Sequence, residues 1–135
     1  MTREIKFRGK RLDNGKWEIG NLLVAENGAP YILPPEICEV DGHHLRQGDD
    51  APHRVDPSTV GQYTGLKDKN GAKIYEGDII KPAYANIIDL LEVRFVRGVF
   101  AFLWEGNLDD ECATNAPTHE WAEVVGNVYD NPKLL

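Results

Sequence analysis

Apolar residues in this chain recur mostly at every second position, in short runs that Asn-Gly pairs, glycines and prolines interrupt. Residues 3–12, "REIKFRGKRL", alternate charge with Ile5 and Phe7, a period of two that predicts a half-buried strand. "DNGK" follows, and Asn14-Gly15 is a tight-turn pair whose backbone takes positive φ. "WEIGNLLVA" returns as a second strand with Trp17 and Ile19 on one face. "ENGAP" makes another corner, and "YILP" is a short third strand that Pro34 and Pro35 end. The pattern predicts a meander with Asn-Gly corners. Between Cys38 and Asp56 it dissolves into polar, turn-rich sequence, the signature of a surface loop. Asp56-Pro57-Ser58-Thr59 opens one helical turn, with Asp56 as N-cap and Pro57 in the first helical position, and Gly61 halts it.

The most deliberate stretch is residues 60–80, "VGQYTGLKDKNGAKIYEGDII". Gly61, Gln62, Tyr63, Thr64 and Gly65 belong to a strand, Asp68, Asn70 and Gly71 to its turn, and Tyr75 to the returning strand. Glu76 and Gly77 make a second corner, where Asp78 accepts hydrogen bonds from turn amides, and "IIK" leaves as the next strand. Pro82 ends "GDIIKPAY" or forces it to an edge. "NIIDLL", residues 86–91, fits a short helix or a strand equally well. "EVRFVRG" and "VFAFLWEG" form a hairpin turning near Gly98, and "NLDDECATNAPTHE" is a second polar loop. "WAEVVGNVYDNP" is the last strand, with Gly126 at a bulge or a close backbone approach, and "KLL" is a tail. Helix signals are scarce. The expectation is an all-β protein with at most one or two short helical turns, closed as a small barrel that removes the edges of its many strands.

At 135 residues the chain is one domain or two small subdomains sharing a core, divided as an N-terminal meander and loop over residues 1–59 and a β-roll over residues 60–135. Its two cysteines, Cys38 and Cys112, make no disulfide framework, no apolar leader follows Met1, and no run is long enough to span a bilayer. These features point to the cytoplasm and away from a membrane. Net charge is −7, unevenly spread. Residues 1–11 carry Arg3, Lys6, Arg8, Lys10 and Arg11 against Glu4 alone, which leaves −11 on the other 124 residues. An acidic body repels phosphate, so nucleic-acid binding requires the basic arm to act by itself. The alternative is that these charges line the wet side of an edge strand and deter aggregation.

"VGQYTGLKDKNGAKIYEGDII" resembles the signature of the YopX family, small proteins encoded by phages and prophages, and "REIKFRGK" and "EVVGNVYDNPKLL" resemble that family's two ends. Residues 38–54 and 105–118 match no motif, and "KPAYANIIDLLEV" departs from the shorter, glycine-containing approach expected there. The resemblance implies an SH3-type roll from Gly77 onward. It carries over no catalytic residue set and no cofactor.

Catalytic and ligand motifs fare poorly. Three residues separate Gly61 from Gly65 where a P-loop needs four, and no helix follows, so neither a P-loop nor a dinucleotide fingerprint fits. Counting from Asp68, glycine arrives at the fourth position of a would-be calcium loop instead of the sixth. His43, His44, His53 and His119 with Cys38 and Cys112 lack the paired spacing of a structural zinc site. Ser58, the only serine, has no nucleophile elbow around it, and Cys112 with His119 has no supporting signature. Asp49-Asp50 and Asp109-Asp110-Glu111 sit in polar loops, while Glu76 and Asp78 have a sufficient turn role. No enzyme, cofactor or metal is expected. The leading expectation is a protein-interaction module that meets a phage or host protein, or a second copy of itself, through the loops at 41–54 and 107–120. Its named contacts are Trp104, Trp121, Asp109, Asp110, His43 and His44. The alternatives are a nucleic-acid module using Arg3, Lys6, Arg8, Lys10 and Arg11, and, less favoured, a metal-dependent or hydrolytic enzyme.

Overall fold

A computed structural model describes residues 4–34, 52–82, 90–104 and 118–134, and of Trp104 only the backbone. The chain forms two compact units, Met1–Gln62 and Tyr63–Leu135, dividing inside a strand.

The first unit is the expected meander. β1 (Phe7–Lys10), β2 (Trp17–Val24) and β3 (Pro30–Leu33) pair antiparallel in sequence order, with Lys10 opposite Trp17 and Asn21 opposite Leu33. Both corners use glycine in the left-handed region, where a side chain would strain the backbone: φ is +71° at Gly15 and +88° at Gly28. Each preceding asparagine locks its corner, since Asn14 Oδ1 accepts from Lys16 N and Asn27 Oδ1 from Ala29 N. β4 (His53–Arg54) adds to the far side of β3, and the start of β5 (Gly61–Lys67) pairs with β1.

Between β4 and β5, Pro57–Thr59 forms a 3-10 turn. Asp56 caps it as the sequence predicts, accepting from Ser58 N at 3.0 Å. Buried Thr59 then ties the turn to β1: its hydroxyl accepts from Lys10 N at 2.9 Å and donates to Asp56 O at 2.7 Å. Ile32 and Val55 are fully buried, and Val55 lies so close to Gly9 that a Cβ there would sit 2.9 Å from a Val55 methyl.

In the second unit β5 turns into β6 (Lys73–Tyr75), and a four-stranded antiparallel sheet follows in the order β10-β7-β8-β9. Those strands are β7 (Asp78–Pro82), β8 (Leu91–Val96), β9 (Val99–Trp104) and β10 (Ala122–Asn127). Ile74, Ile80, Leu91, Val93, Phe102, Trp121 and Ala122 pack into one core. Burying each large apolar side chain contributes about 1.5–3 kcal/mol. Ile79 and Leu103, which point the other way, are fully buried too, so the sheet is covered on both faces at its base.

The β8–β9 hairpin turns on Arg97 and Gly98, both at positive φ (+52° and +83°), and Val96 faces Val99. Gly126 marks a register shift against β7, confirming the bulge. It also packs against Asn131, whose Oδ1 would lie 2.5 Å from a Cβ at that position.

The protein is all-β with short helical turns only, as expected. Two details differ. Among the described residues β9 and β10 stand at unpaired ends of their sheet, so the strands make an open sheet instead of a closed barrel. Thr118–Trp121 is a single α-turn, so the last strand starts at Ala122 rather than at Trp121. The choice between helix and strand for residues 86–89 lies outside the described residues.

Candidate functional site

The central motif works as a structural knot. Gly65, at φ +87°, absorbs a register shift between β5 and β6: Tyr63 faces Tyr75 but Lys67 faces Lys73, leaving extra residues on β5. Thr64 bridges the bulge, its hydroxyl donating to Ile74 O and accepting from Leu66 N. Tyr63 and Tyr75 are both buried, with ring centroids 5.5 Å apart.

Asp68 is the knot's hub, 2% exposed. Its Oδ1 accepts from Asn70 N (2.9 Å) and Ala72 N (2.8 Å), which fixes the turn. Its Oδ2 accepts from Val124 N at 2.9 Å, which binds the turn to β10. Burial pushes the carboxyl toward protonation, but the three backbone N–H donors and nearby Lys69 outweigh it and hold Asp68 below the ordinary carboxylate range. Lys69 N donating to Ala122 O and the Thr118 hydroxyl donating to Lys67 O strengthen the same junction. Buried Asp78 accepts from Tyr75 N at 2.7 Å across the second corner, the turn role anticipated from sequence. Gly77 at that corner has φ +92° and lies against the Tyr129 ring. These carboxylates are committed to backbone amides, which is a folding task. Among the described residues no group of three His, Cys, Asp or Glu could hold a metal.

The expected contact residues divide. Trp121 is 3% exposed and meets Phe102 edge-on at 5.4 Å, so it is core, not a ring open to a partner. The α-turn ahead of β10 swings it under the sheet, which strand alternation alone did not predict. Trp104 pairs with Leu91 at the end of β9. His43, His44, Asp109, Asp110 and Arg3 lie outside the described residues, as do Cys38 and Cys112.

The basic arm splits between the two faces of its strand. Lys6 pairs with Glu4 at 2.9 Å. The Arg8 guanidinium lies 4.7 Å and the Lys10 ammonium 5.5 Å from the Trp17 ring centroid. Arg11 is different: a two-pronged hydrogen bond to Asp13 (2.9 and 2.6 Å) and an ion pair with Glu18 at 3.7 Å tie it up on the opposite face. As a nucleic-acid contact Arg11 is therefore corrected to a local structural partner.

Sequence reasoning missed the tip of the β8–β9 hairpin. Leu91, Val93 and Phe95 share one face of β8, and the first two are buried while Phe95 is 54% exposed. Phe95 meets Phe100 across the hairpin with centroids 5.1 Å apart, and on the hairpin's other face Val99 is 51% exposed. The alternation runs unbroken from the core to the turn. The only available clue was that this apolar row reaches the corner, where little remains to cover it.

Fold and site together define a small all-β protein whose buried polar groups hold turns together. The sequence matches the YopX protein family over residues 6–135, nearly the whole chain, and the protein belongs to that family. Among solved structures it is similar to the crystal structure of protein EF1440 from Enterococcus faecalis, with a TM-score of 0.59 and 22% identity over 99% of both chains. At that identity the likeness speaks for the fold alone. No curated protein matches the sequence.

Proposed function

We propose that this YopX protein is a non-enzymatic protein-interaction module, encoded by a phage or prophage and working in the host cytoplasm. The observation that carries the reading is the apolar end of a hairpin with a tight two-residue turn, where Phe95, against half-buried Phe100, is exposed on one face and Val99 on the other. Two large apolar side chains held half in water beside one corner are a standing cost that a partner removes, and rigid aromatic anchors lose little entropy on docking. The commitment of Asp68 and Asp78 to turn amides also favours a binding role over acid–base chemistry.

The test is affinity capture from host lysate, with nuclease treatment, comparing wild type with a Phe95→Ser/Val99→Ser variant. Both positions are more than half exposed, so the variant should keep its circular dichroism and Tm. A defined protein retained by wild type and lost by the variant is expected. If the partner is a second copy, light scattering should report an oligomer for wild type and a monomer for the variant. Equal capture by both proteins, or recovery of nothing that survives nuclease, would overturn the reading.

A further inference from the structure

We propose that the face of the N-terminal sheet carrying Trp17 binds single-stranded nucleic acid. This face is built from other residues than the hairpin tip, and the inference does not rest on the reading above. Residues directly opposite in an antiparallel pair share a face. The register Lys10 to Trp17, Arg8 to Ile19, Leu23 to Tyr31 and Tyr31 to Arg54 therefore places all of these side chains on one surface across four strands.

Charge is sorted between the two sides of this sheet. The Trp17 face carries Arg8, Lys10 and Arg54, and Lys6, paired with Glu4, lies just ahead of β1. Glu18 lies on the other side with Arg11. In a chain of net charge −7, three cations gathered on one sheet face complement an anionic partner.

Geometry narrows the anion. Arg8 and Lys10 alternate along β1, so their origins are about 6.8 Å apart, close to the spacing of successive phosphates in an extended single strand. Between these cations and Arg54 lies a mostly apolar strip, interrupted by exposed Asn21 between Ile19 and Leu23. Ile19 and Leu23 are each 42% exposed, and the Trp17 and Tyr31 rings are half-buried beside them. From Trp17 to Leu23 the strip runs about 20 Å. Unpaired bases can lie on such a strip while phosphates meet the cations, whereas a duplex hides its base faces. The Arg8 guanidinium over Trp17 extends the stacking surface and can offer N–H groups to phosphate oxygens. An acidic peptide would use the cations but leave the apolar strip unfilled.

The experiment is fluorescence anisotropy with labelled oligothymidylate, an unstructured single strand, across a salt series, with polyglutamate as competitor. Binding at low ionic strength is expected, with log K falling against log salt at a slope of about −2 for three phosphate contacts. Arg54→Glu and Ile19→Glu both alter exposed positions and should preserve the fold by circular dichroism. Each should weaken binding roughly tenfold, and Arg54→Glu, which removes a phosphate contact, should also flatten the salt slope by about 0.7 or more. No binding at low salt, a salt-independent affinity, or unchanged binding by both variants would overturn the proposal. Polyglutamate binding as tightly as the oligonucleotide would overturn it in favour of an acidic protein partner.

Discussion

Asp68→Asn should cost this protein about 3 kcal/mol of stability at neutral pH, because one carboxylate serves three backbone donors from two distant segments. The substitution keeps an oxygen for Asn70 N and Ala72 N but turns an NH2 group toward Val124 N, where Asp68 Oδ2 now accepts at 2.9 Å. Losing that bond at the buried Asp68 carboxylate costs about 1–3 kcal/mol, and weakening the other two from charged to neutral acceptors adds about 1 kcal/mol. Asp68→Ala removes all three acceptors and should cost somewhat more. Urea unfolding followed by circular dichroism measures the loss, and hydrogen exchange at the Val124 amide localises it to the junction with β10.

The effect should depend on pH with a defined sign. The folded-state pKa of Asp68 lies below the unfolded value of about 3.9. Its contribution is therefore complete above that value and is lost as pH falls through the lower, folded-state pKa. The stability gap between wild type and Asp68→Asn should be widest near pH 7 and shrink below about pH 4. A gap under about 0.5 kcal/mol at neutral pH, or one that stays constant into acid, would refute this account of the carboxylate.

Gly77→Ala and Gly71→Ala should differ, although both positions have positive φ. At Gly71 a Cβ meets open space and costs about 1 kcal/mol, whereas at Gly77 it would lie 2.8 Å from Tyr129, so a distinctly lower Tm is expected there. Trp121→Ala should cost about 3–5 kcal/mol by emptying the space against Phe102, read by urea titration; a loss below 1 kcal/mol would return Trp121 to the surface. Asp56→Ala removes the cap of the Pro57–Thr59 turn and should cost about 1 kcal/mol by the same titration.

What the sequence determined by itself is what local chemistry decides. The Asn14-Gly15 and Asn27-Gly28 corners, the Asp56 cap, the Gly98 hairpin and the Gly126 bulge all depend on positive φ or on neighbouring side-chain and backbone partners. Those signals are complete within a few residues, so they survive without knowledge of the fold. Alternation likewise announced strands, and through them the all-β class. It could not say which face of a strand is covered, or where the cover ends. Trp121 and Phe95 both sit in aromatic-rich strand-like sequence, yet one is core and the other stands in water. Only the tertiary structure decided this, because burial belongs to the packing partner and not to the residue. The same holds for Asp68, whose third hydrogen bond reaches 56 residues along the chain, and for Arg8 and Lys10, placed beside Trp17 by strand register while Arg11 turns to the opposite face. Contacts of that range arise when strands pair, and a pattern read along a single strand contains only half of each.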